Sequence, residues 1–548
     1  MRFLRVAVVA AGVVLSSWAP LLADTYPRNR DVDIVNYVFR LTLSDASDVI
    51  TGETTVDLRC LKDGVTRIEL DLVGPAAGTP ERGLTVASVS SGSTPLAFEH
   101  KNDRLAITLS PAGRLDERRQ ITVRYAGVPG TGLRIGPNRH GERTFFSDNW
   151  PNKARHWLPT IDHPYDKSAS EFIVTAPSHY QVVSNGLLIE ETDLPNGQRR
   201  THWRQSAPIA TWLNALGVAR FAVLHAGQAV GVPIQTWVAA ADRDAGFYDF
   251  ALPTPQVLEF YSSHIGPYSY EKLANVQAPG VGGGMESATA IFYGESSVSG
   301  DRSARWRSVV THEIAHQWFG NAVTESDWDD VWLSEGFATY FTLLFVEHAD
   351  GHDAFIEGVK RSLATVLAFD EKNPTYRVVH DNLADMRQVL TGHIYQKGGW
   401  TLHMLRGIVG DEAFWTGIRT YYKRYRDGNA STADFVRVME EASGKDLGWF
   451  FRQWLYRGGS PVVQGTWHFD AAAKQLDIEL AQVQPGGEPF RLPIEVGLTF
   501  SSEPRSRIER IELTGRLQTF TIPLDRAPAT VVLDPNTWTL MKAEFVAK

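Results

Sequence analysis

The residues best suited to chemistry are His312, Glu313 and His316, set in the run Thr311-His312-Glu313-Ile314-Ala315-His316-Gln317-Trp318-Phe319-Gly320. Side chains four positions apart share one face of a helix, so two imidazoles at this spacing can converge on a single ion with the carboxylate beside it. Neutral imidazole is a good zinc ligand, and Glu313 is placed to take a proton from a metal-activated water. Two histidines leave a catalytic zinc one protein ligand short. Downstream, Asp330-Val331-Trp332-Leu333-Ser334-Glu335-Gly336-Phe337-Ala338 reads as the opening of a second helix, and 18 residues (317 through 334) separate His316 from Glu335. That interval accommodates a helix end, a loop and a return to the metal. Ligation by His312, His316 and Glu335 would leave the fourth tetrahedral position open, as a catalytic rather than a structural site requires. One zinc ion per chain is therefore the expected cofactor. The plain alternative is an exposed helix face carrying two unrelated histidines.

Such a site needs a helical unit to hold it, and the chain contains one between two β-rich regions. From about residue 31 to 223, short runs alternate apolar and polar residues, as in 36–43, 54–59 and 120–125, with Gly, Pro, Asn and Asp clusters between them. Helical periodicity takes over after Pro253 and recurs to about residue 457. Gly458-Gly459-Ser460-Pro461 marks a second break, beyond which alternation returns in 475–480, 493–498 and 519–524. The fold class expected is multidomain α+β, with an N-terminal antiparallel β domain over 24–230, a mainly α catalytic domain over 231–458 and a small C-terminal β-sandwich over 459–548.

Residues 1–23 read as a signal peptide: Arg2 and Arg5 precede an apolar run over 6–15, and small residues lead to Ala23, the expected cleavage point, with Ala19 as a second candidate. An uncleaved anchor is the alternative. The mature protein is expected to be exported, periplasmic or secreted, without stable membrane insertion. Lys+Arg 54 against Asp+Glu 63 gives a net charge of −9, which argues against a dedicated nucleic-acid binder. Hydrophobic residues at 43% and charged residues at 21% exclude a disordered or collagen-like chain. The single cysteine, Cys60, excludes an intrachain disulfide and a cysteine-based zinc site.

Two more segments bear on the chemistry. In Gly282-Gly283-Gly284-Met285-Glu286-Ser287, the glycines allow a close backbone approach and Met285 offers a soft wall, or simple core packing. Glu286 could receive an ammonium group or be a solvated loop charge. The other segment is Ile394-Tyr395-Gln396-Lys397-Gly398. Together with the H-E-x-x-H run and Glu335 in Trp332-Leu333-Ser334-Glu335-Gly336-Phe337-Ala338, these segments resemble the gluzincin zinc aminopeptidases of the aminopeptidase N and leukotriene A4 hydrolase family. Weaker likeness runs through 154–164 and 449–455.

The resemblance implies a thermolysin-like catalytic domain and a short form without the family's large C-terminal helical domain. It also implies site roles: Glu313 as general base, Tyr395 as donor to the developing oxyanion, and Glu286, helped by Glu335, as receiver of the substrate's amino group. Gly283, Gly284 and Met285 would line the place of the first residue. The sequence departs from the family's pattern at Ser287, where Asn is usual, at Gly284, where Ala is common, and at Trp150, where a further Gln or Glu anchor is expected. Nearby Asp148 is a candidate substitute for that anchor, and Asp329 or Asp330 a candidate to orient a ligating histidine.

The expected function is a zinc aminopeptidase that removes neutral or aromatic residues from peptides with a free N-terminus. A thermolysin-like zinc endopeptidase, for which Glu286 is irrelevant and blocked peptides are substrates, is the alternative enzyme. A non-catalytic peptide-binding protein on a peptidase scaffold is the alternative from another class.

Overall fold

The computed structural model describes residues 24–548 apart from 77, 80, 252, 304, 381, 382, 384 and 502–505. The expected signal peptide at 1–23 lies outside the described residues. Among the described residues no helix is long and apolar enough to cross a membrane.

The N-terminal region is built on an eight-stranded sheet in which Gln198–Ala210, Lys167–Pro177, Val32–Thr42, Ile50–Cys60 and Arg118–Val128 are successive neighbours. Strict alternation buries every second side chain of Lys167–Pro177 against the core, where Phe39, Phe172, Trp157 and Trp203 meet. In Val32–Thr42 the apolar phase shifts between Val32/Ile34 and Tyr37/Phe39/Leu41, and the pairing shows why: a β-bulge between Ile34 and Asn36 returns both sets to the same face. One pair departs from the expected antiparallel pattern. Val32–Thr42 runs parallel to Lys167–Pro177, because the intervening chain forms other strands before returning to the sheet.

The central region opens with a five-stranded sheet made of β1 (Phe221–Ala229), β2 (Val232–Ala239), β3 (Leu273–Ala278), β4 (Gly284–Met285) and β5 (Ala290–Gly294), in the order β1-β2-β3-β5-β4. The sheet thus begins at Phe221, since the β1–β2 hairpin straddles residue 231. Every residue of β3 and β5 is buried, and the two-residue β4 forms an antiparallel edge beside β5. Four helices complete the surroundings of the site: α1 (Arg307–His316), α2 (Trp332–Asp350), α3 (His352–Lys372) and α4 (Gly392–Val409).

Phe337, Phe341, Leu344 and Phe345 give α2 a buried apolar face at helical spacing. The contact between α2 and α4 is set by glycine. A Cβ on Gly336 would lie 2.9 Å from the Gly398 backbone, and one on Gly398 would lie 3.0 Å from Gly336 Cα. The two backbones therefore touch where they cross, and this brings Glu335 of α2 beside Tyr395 of α4.

After α4 and the later helices, the chain forms two sheets. One contains Leu517–Pro523, Gln475–Gln482, Val462–Asp470 and Lys542–Ala547; the other contains Arg507–Leu513, Leu492–Thr499 and Thr530–Leu533. Leu476, Ile478, Leu480, Leu492, Ile494 and Val496 pack in a core continuous with that of the central helices. His403 of α4 fastens the junction, with its Nε2 2.8 Å from the Thr537 carbonyl and its ring stacked on Trp538 at 4.6 Å. Lys167 fastens the other side. From the N-terminal sheet its Nζ donates to the carbonyls of Asn321, Ala322 and Gly428 at 2.9, 3.0 and 3.1 Å.

Candidate active site

Helix α1 carries His312 and His316 on one face, and α2 delivers Glu335 from its first turn. The three donor atoms form a small triangle. His312 Nε2 and His316 Nε2 are 3.0 Å apart, and each lies 3.3 Å from Glu335 Oε2. Ligands at tetrahedral zinc distances of about 2.0–2.1 Å sit about 3.3 Å from one another, so the donor set fits the ion without rearrangement.

The tautomer of His316 agrees with this. Its Nδ1–H donates to the Phe319 carbonyl at 3.2 Å, with the Ser334 hydroxyl 3.0 Å from the same nitrogen, which leaves the Nε2 lone pair for a metal. Gly320, at φ 110°, makes this arrangement possible: a Cβ there would lie 2.2 Å from Ser334 Oγ. Asp330 does not perform the orienting task considered for it, because its carboxylate accepts from the Thr432 hydroxyl at 2.6 Å and the Thr432 N–H at 3.2 Å. Asp329 Oδ1 accepts from the Leu383 N–H at 3.0 Å.

Electrostatically the cluster calls for positive charge. Burial would push the His316 imidazolium down, but Glu286 and Glu335 outweigh it and raise the group well above its ordinary value. Burial would likewise raise the Glu335 carboxyl, yet His316 and His312 hold it far below the usual range. A divalent cation in the triangle satisfies the same demand.

Glu313, between the two histidines, is buried, and burial with the neighbouring Glu286 raises its carboxyl well above the ordinary range. Donor atoms of Glu286, Glu313 and His316 all lie within 4.8 Å of one another. Gly284 leaves room for Glu313, since a Cβ there would meet its carboxyl at 2.2 Å. Tyr395 Oη donates to Glu335 Oε1 at 2.9 Å, and its ring stacks on His312 with centroids 5.9 Å apart. Burial and the adjacent Glu335 push the phenol far above its ordinary value, so it remains a donor.

The structure brings nine of the sequence-predicted residues to one cavity of about 680 Å³, lined by Gly283, Gly284, Met285, Glu286, His312, Glu313, His316, Glu335 and Tyr395 among others. Glu286 is not a solvated loop charge: it is 6% exposed, and its Oε1 has no hydrogen-bond partner among the described residues. Burial raises its carboxyl to about 7. Met285 lines the cavity while also packing on the core.

The loop that carries Glu286 is held by two side chains the motif reading did not single out. Gln317 Nε2 and Asn321 Nδ2 donate to the Glu286 carbonyl at 2.9 and 2.6 Å, and Gln317 Oε1 accepts from the Thr289 N–H at 3.1 Å. Both follow the H-E-x-x-H run closely, which was the available signal.

Trp150 also lines the cavity, packed edge-on against Trp212 and Trp328 with centroids 4.6 and 4.8 Å away, so an aromatic wall stands where a polar anchor was expected. Asp148 does not replace that anchor: its carboxylate pairs with Lys153 at 2.6 Å on the surface. Glu325, unremarked in the sequence, is 1% exposed with neither carboxylate oxygen partnered among the described residues, and burial raises it to about 8.

Comparison with known proteins places these features in context. The family model described as the Peptidase family M1 domain matches residues 251–454, and the Peptidase M1 N-terminal domain matches residues 34–213. Glutamyl aminopeptidase of Rattus norvegicus is 29% identical over 368 residues, which is 64% of this chain but 39% of that protein. The chain thus spans about two-fifths of that relative's length. Among solved structures, a mutant M1 zinc metallopeptidase from Deinococcus radiodurans superposes with a TM-score of 0.67 at 25% identity, covering 78% of this chain and 94% of that one. The same mutant bound to a Tyr-Ser-Ala substrate matches with a TM-score of 0.65 at 26% identity, again over 78% and 94% of the two chains.

Proposed function

Because this chain belongs to peptidase family M1, we propose that it is a zinc aminopeptidase that hydrolyses the N-terminal bond of peptides and acts after export. The observation that carries the reading is the position of Glu286. Its carboxylate, whose Oε1 has no partner among the described residues, lies within 4.8 Å of donor atoms of Glu313 and His316, which leaves room for only the first residue of a peptide between amino-group receiver and hydrolytic centre.

His312, His316 and Glu335 would hold one zinc ion, which supplies Lewis-acid polarisation of water and of the scissile carbonyl. Glu286 receives the substrate's α-ammonium, and a buried carboxylate needs such a cation to offset its lost hydration. The β4 edge and Met285 position the first residue, with Trp150 as an aromatic wall suited to neutral and aromatic side chains. Glu313 takes a proton from the attacking water on a carboxylate oxygen and returns it to the leaving amine; its raised affinity for protons suits it to both transfers. Tyr395 turns its hydroxyl from Glu335 to the oxygen that gains charge, keeping its proton throughout.

Export is supported by the sequence of residues 1–23, and the mature chain is expected to begin at Asp24. The functional test is hydrolysis of leucine p-nitroanilide beside its N-acetyl derivative by residues 24–548. Turnover of the free amine alone is the expected result. Equal turnover of the acetylated compound would assign the site to an endopeptidase, and bound zinc without turnover of either would assign it to a peptide-binding protein.

A further inference from the structure

The cavity is charged unevenly. At its metal end lie Glu286, Glu313 and Glu335, whereas Arg361 of α3 is the only lysine or arginine among the described residues that line it. The Arg361 guanidinium is not committed elsewhere: it lies 3.7 Å from Glu357 in an i,i+4 pair whose side chains are 74% and 77% exposed, an arrangement that contributes little.

The position of Arg361 follows from the helices. Thr339, Thr342 and Leu343 carry the cavity wall along α2 away from Glu335, and the eight residues from Glu335 to Leu343 rise about 12 Å. There α3 packs closely against α2, because a Cβ on Gly358 would lie 2.6 Å from Leu343 Cδ2. Arg361 stands one helical turn beyond Gly358 on the same side. Beyond a first residue held between Glu286 and the metal triangle, the cavity offers this wall to the leaving portion of a peptide. An extended chain covers about 3.3–3.6 Å per residue, so two or three further residues bring a carboxylate within reach of the long Arg361 side chain.

We propose that Arg361 is a specificity-determining residue that receives a carboxylate carried by the leaving part of the peptide, foremost the C-terminal carboxylate of tri- and tetrapeptides. The inference rests on the aminopeptidase reading and adds the other end of the substrate to it: ammonium at Glu286, carboxylate at Arg361. Its chemistry is that of a charge pair in water-exposed surroundings, so it acts as a preference, weakened by salt, and takes no part in bond cleavage.

The test compares kcat/KM for Leu-Ala-Ala, its C-terminal amide, and Leu-Ala-Glu amide, using residues 24–548 and the variants Arg361→Ala and Arg361→Lys. The expected result is a preference of about fivefold for the acid over the neutral amide, the upper range for an exposed ion pair. The preference falls to near one in Arg361→Ala, survives in part in Arg361→Lys, and shrinks at high salt. If Leu-Ala-Glu amide matches the acid, the residue reads any carboxylate on the leaving side; if it matches the neutral amide, the residue reads the C-terminus. Equal cleavage of acid and neutral amide by the unaltered protein, or a preference untouched by Arg361→Ala, overturns the inference while leaving the aminopeptidase reading intact. No cleavage of any of these peptides removes both.

Discussion

Glu313 and Tyr395 illustrate what a single side chain contributes at this site. Glu313→Gln keeps the shape of the residue and removes its capacity to accept a proton. It is expected to lower kcat by about 10²–10⁴-fold on leucine p-nitroanilide while the protein still holds one zinc per chain by metal analysis. Loss of zinc in that variant would instead place Glu313 among the ligands. Tyr395→Phe keeps the ring stacked on His312 and removes the hydroxyl that meets Glu335. A fall in kcat of about 10²–10³-fold with KM little changed is expected from steady-state kinetics, since the donor is used in the transition state. Much of this residue-level picture was legible in the sequence because an i,i+4 pair on a helix is a local fact. What was not legible is direction. Asp148 and Asp330 stand close in sequence to the right elements, yet one turns to Lys153 and the other to Thr432. Glu325 gave no signal at all, because its burial depends on packing from distant segments.

At the scale of elements, the site depends on how closely α2 and α4 cross. Gly336 and Gly398 each follow a residue that lines the cavity, Glu335 directly and Tyr395 by three positions, and they touch through their backbones. Gly398→Ala is expected to force the helices apart, costing about 1–3 kcal/mol in chemical denaturation as overpacking does elsewhere. Its kcat should fall as well, because Tyr395 moves away from the triangle. Unchanged stability and turnover would mean that the crossing tolerates a methyl group. These glycines were visible only as motif letters, since a contact between positions so far apart in sequence leaves no periodic trace. The same limit explains the parallel strand pair: alternation of period two is identical in parallel and antiparallel sheets, so the alternating region over about 31–223 reads as β structure without showing that Val32–Thr42 and Lys167–Pro177 are parallel neighbours. The β1–β2 hairpin was hidden for a related reason, as its pairing partner lies beyond the apparent composition boundary.

The whole molecule is tied together by buried polar links between its parts, and one of them reports on pH. Burial pushes the Lys167 ammonium down to about 7, although it satisfies three carbonyls at the junction with the catalytic helices. An unfolded lysine titrates near 10.4, so between about pH 7 and 10.4 the unfolded chain binds more protons at this position than the folded one. The contribution of Lys167 to stability is therefore complete above that window and declines as pH falls through it. Tm measured from pH 10 down to 7 should drop more steeply in the native protein than in Lys167→Met, and parallel curves would contradict the assignment. The order of a β region, a helical region and a second β region was legible from the two changes of periodicity. The links between regions were not, because Lys167, His403 and Trp538 each find partners that only the assembled fold supplies.

The central claim, that this zinc site removes residues one at a time from a free amino terminus, is tested most directly by following one unblocked decapeptide and its N-acetylated twin by mass spectrometry during incubation with residues 24–548. The expected result is a ladder of products, each shorter by one N-terminal residue, from the free peptide and none from the acetylated one, with Glu286→Gln slowing the ladder chiefly through KM. Internal fragments, or equal cleavage of the acetylated peptide, would contradict it.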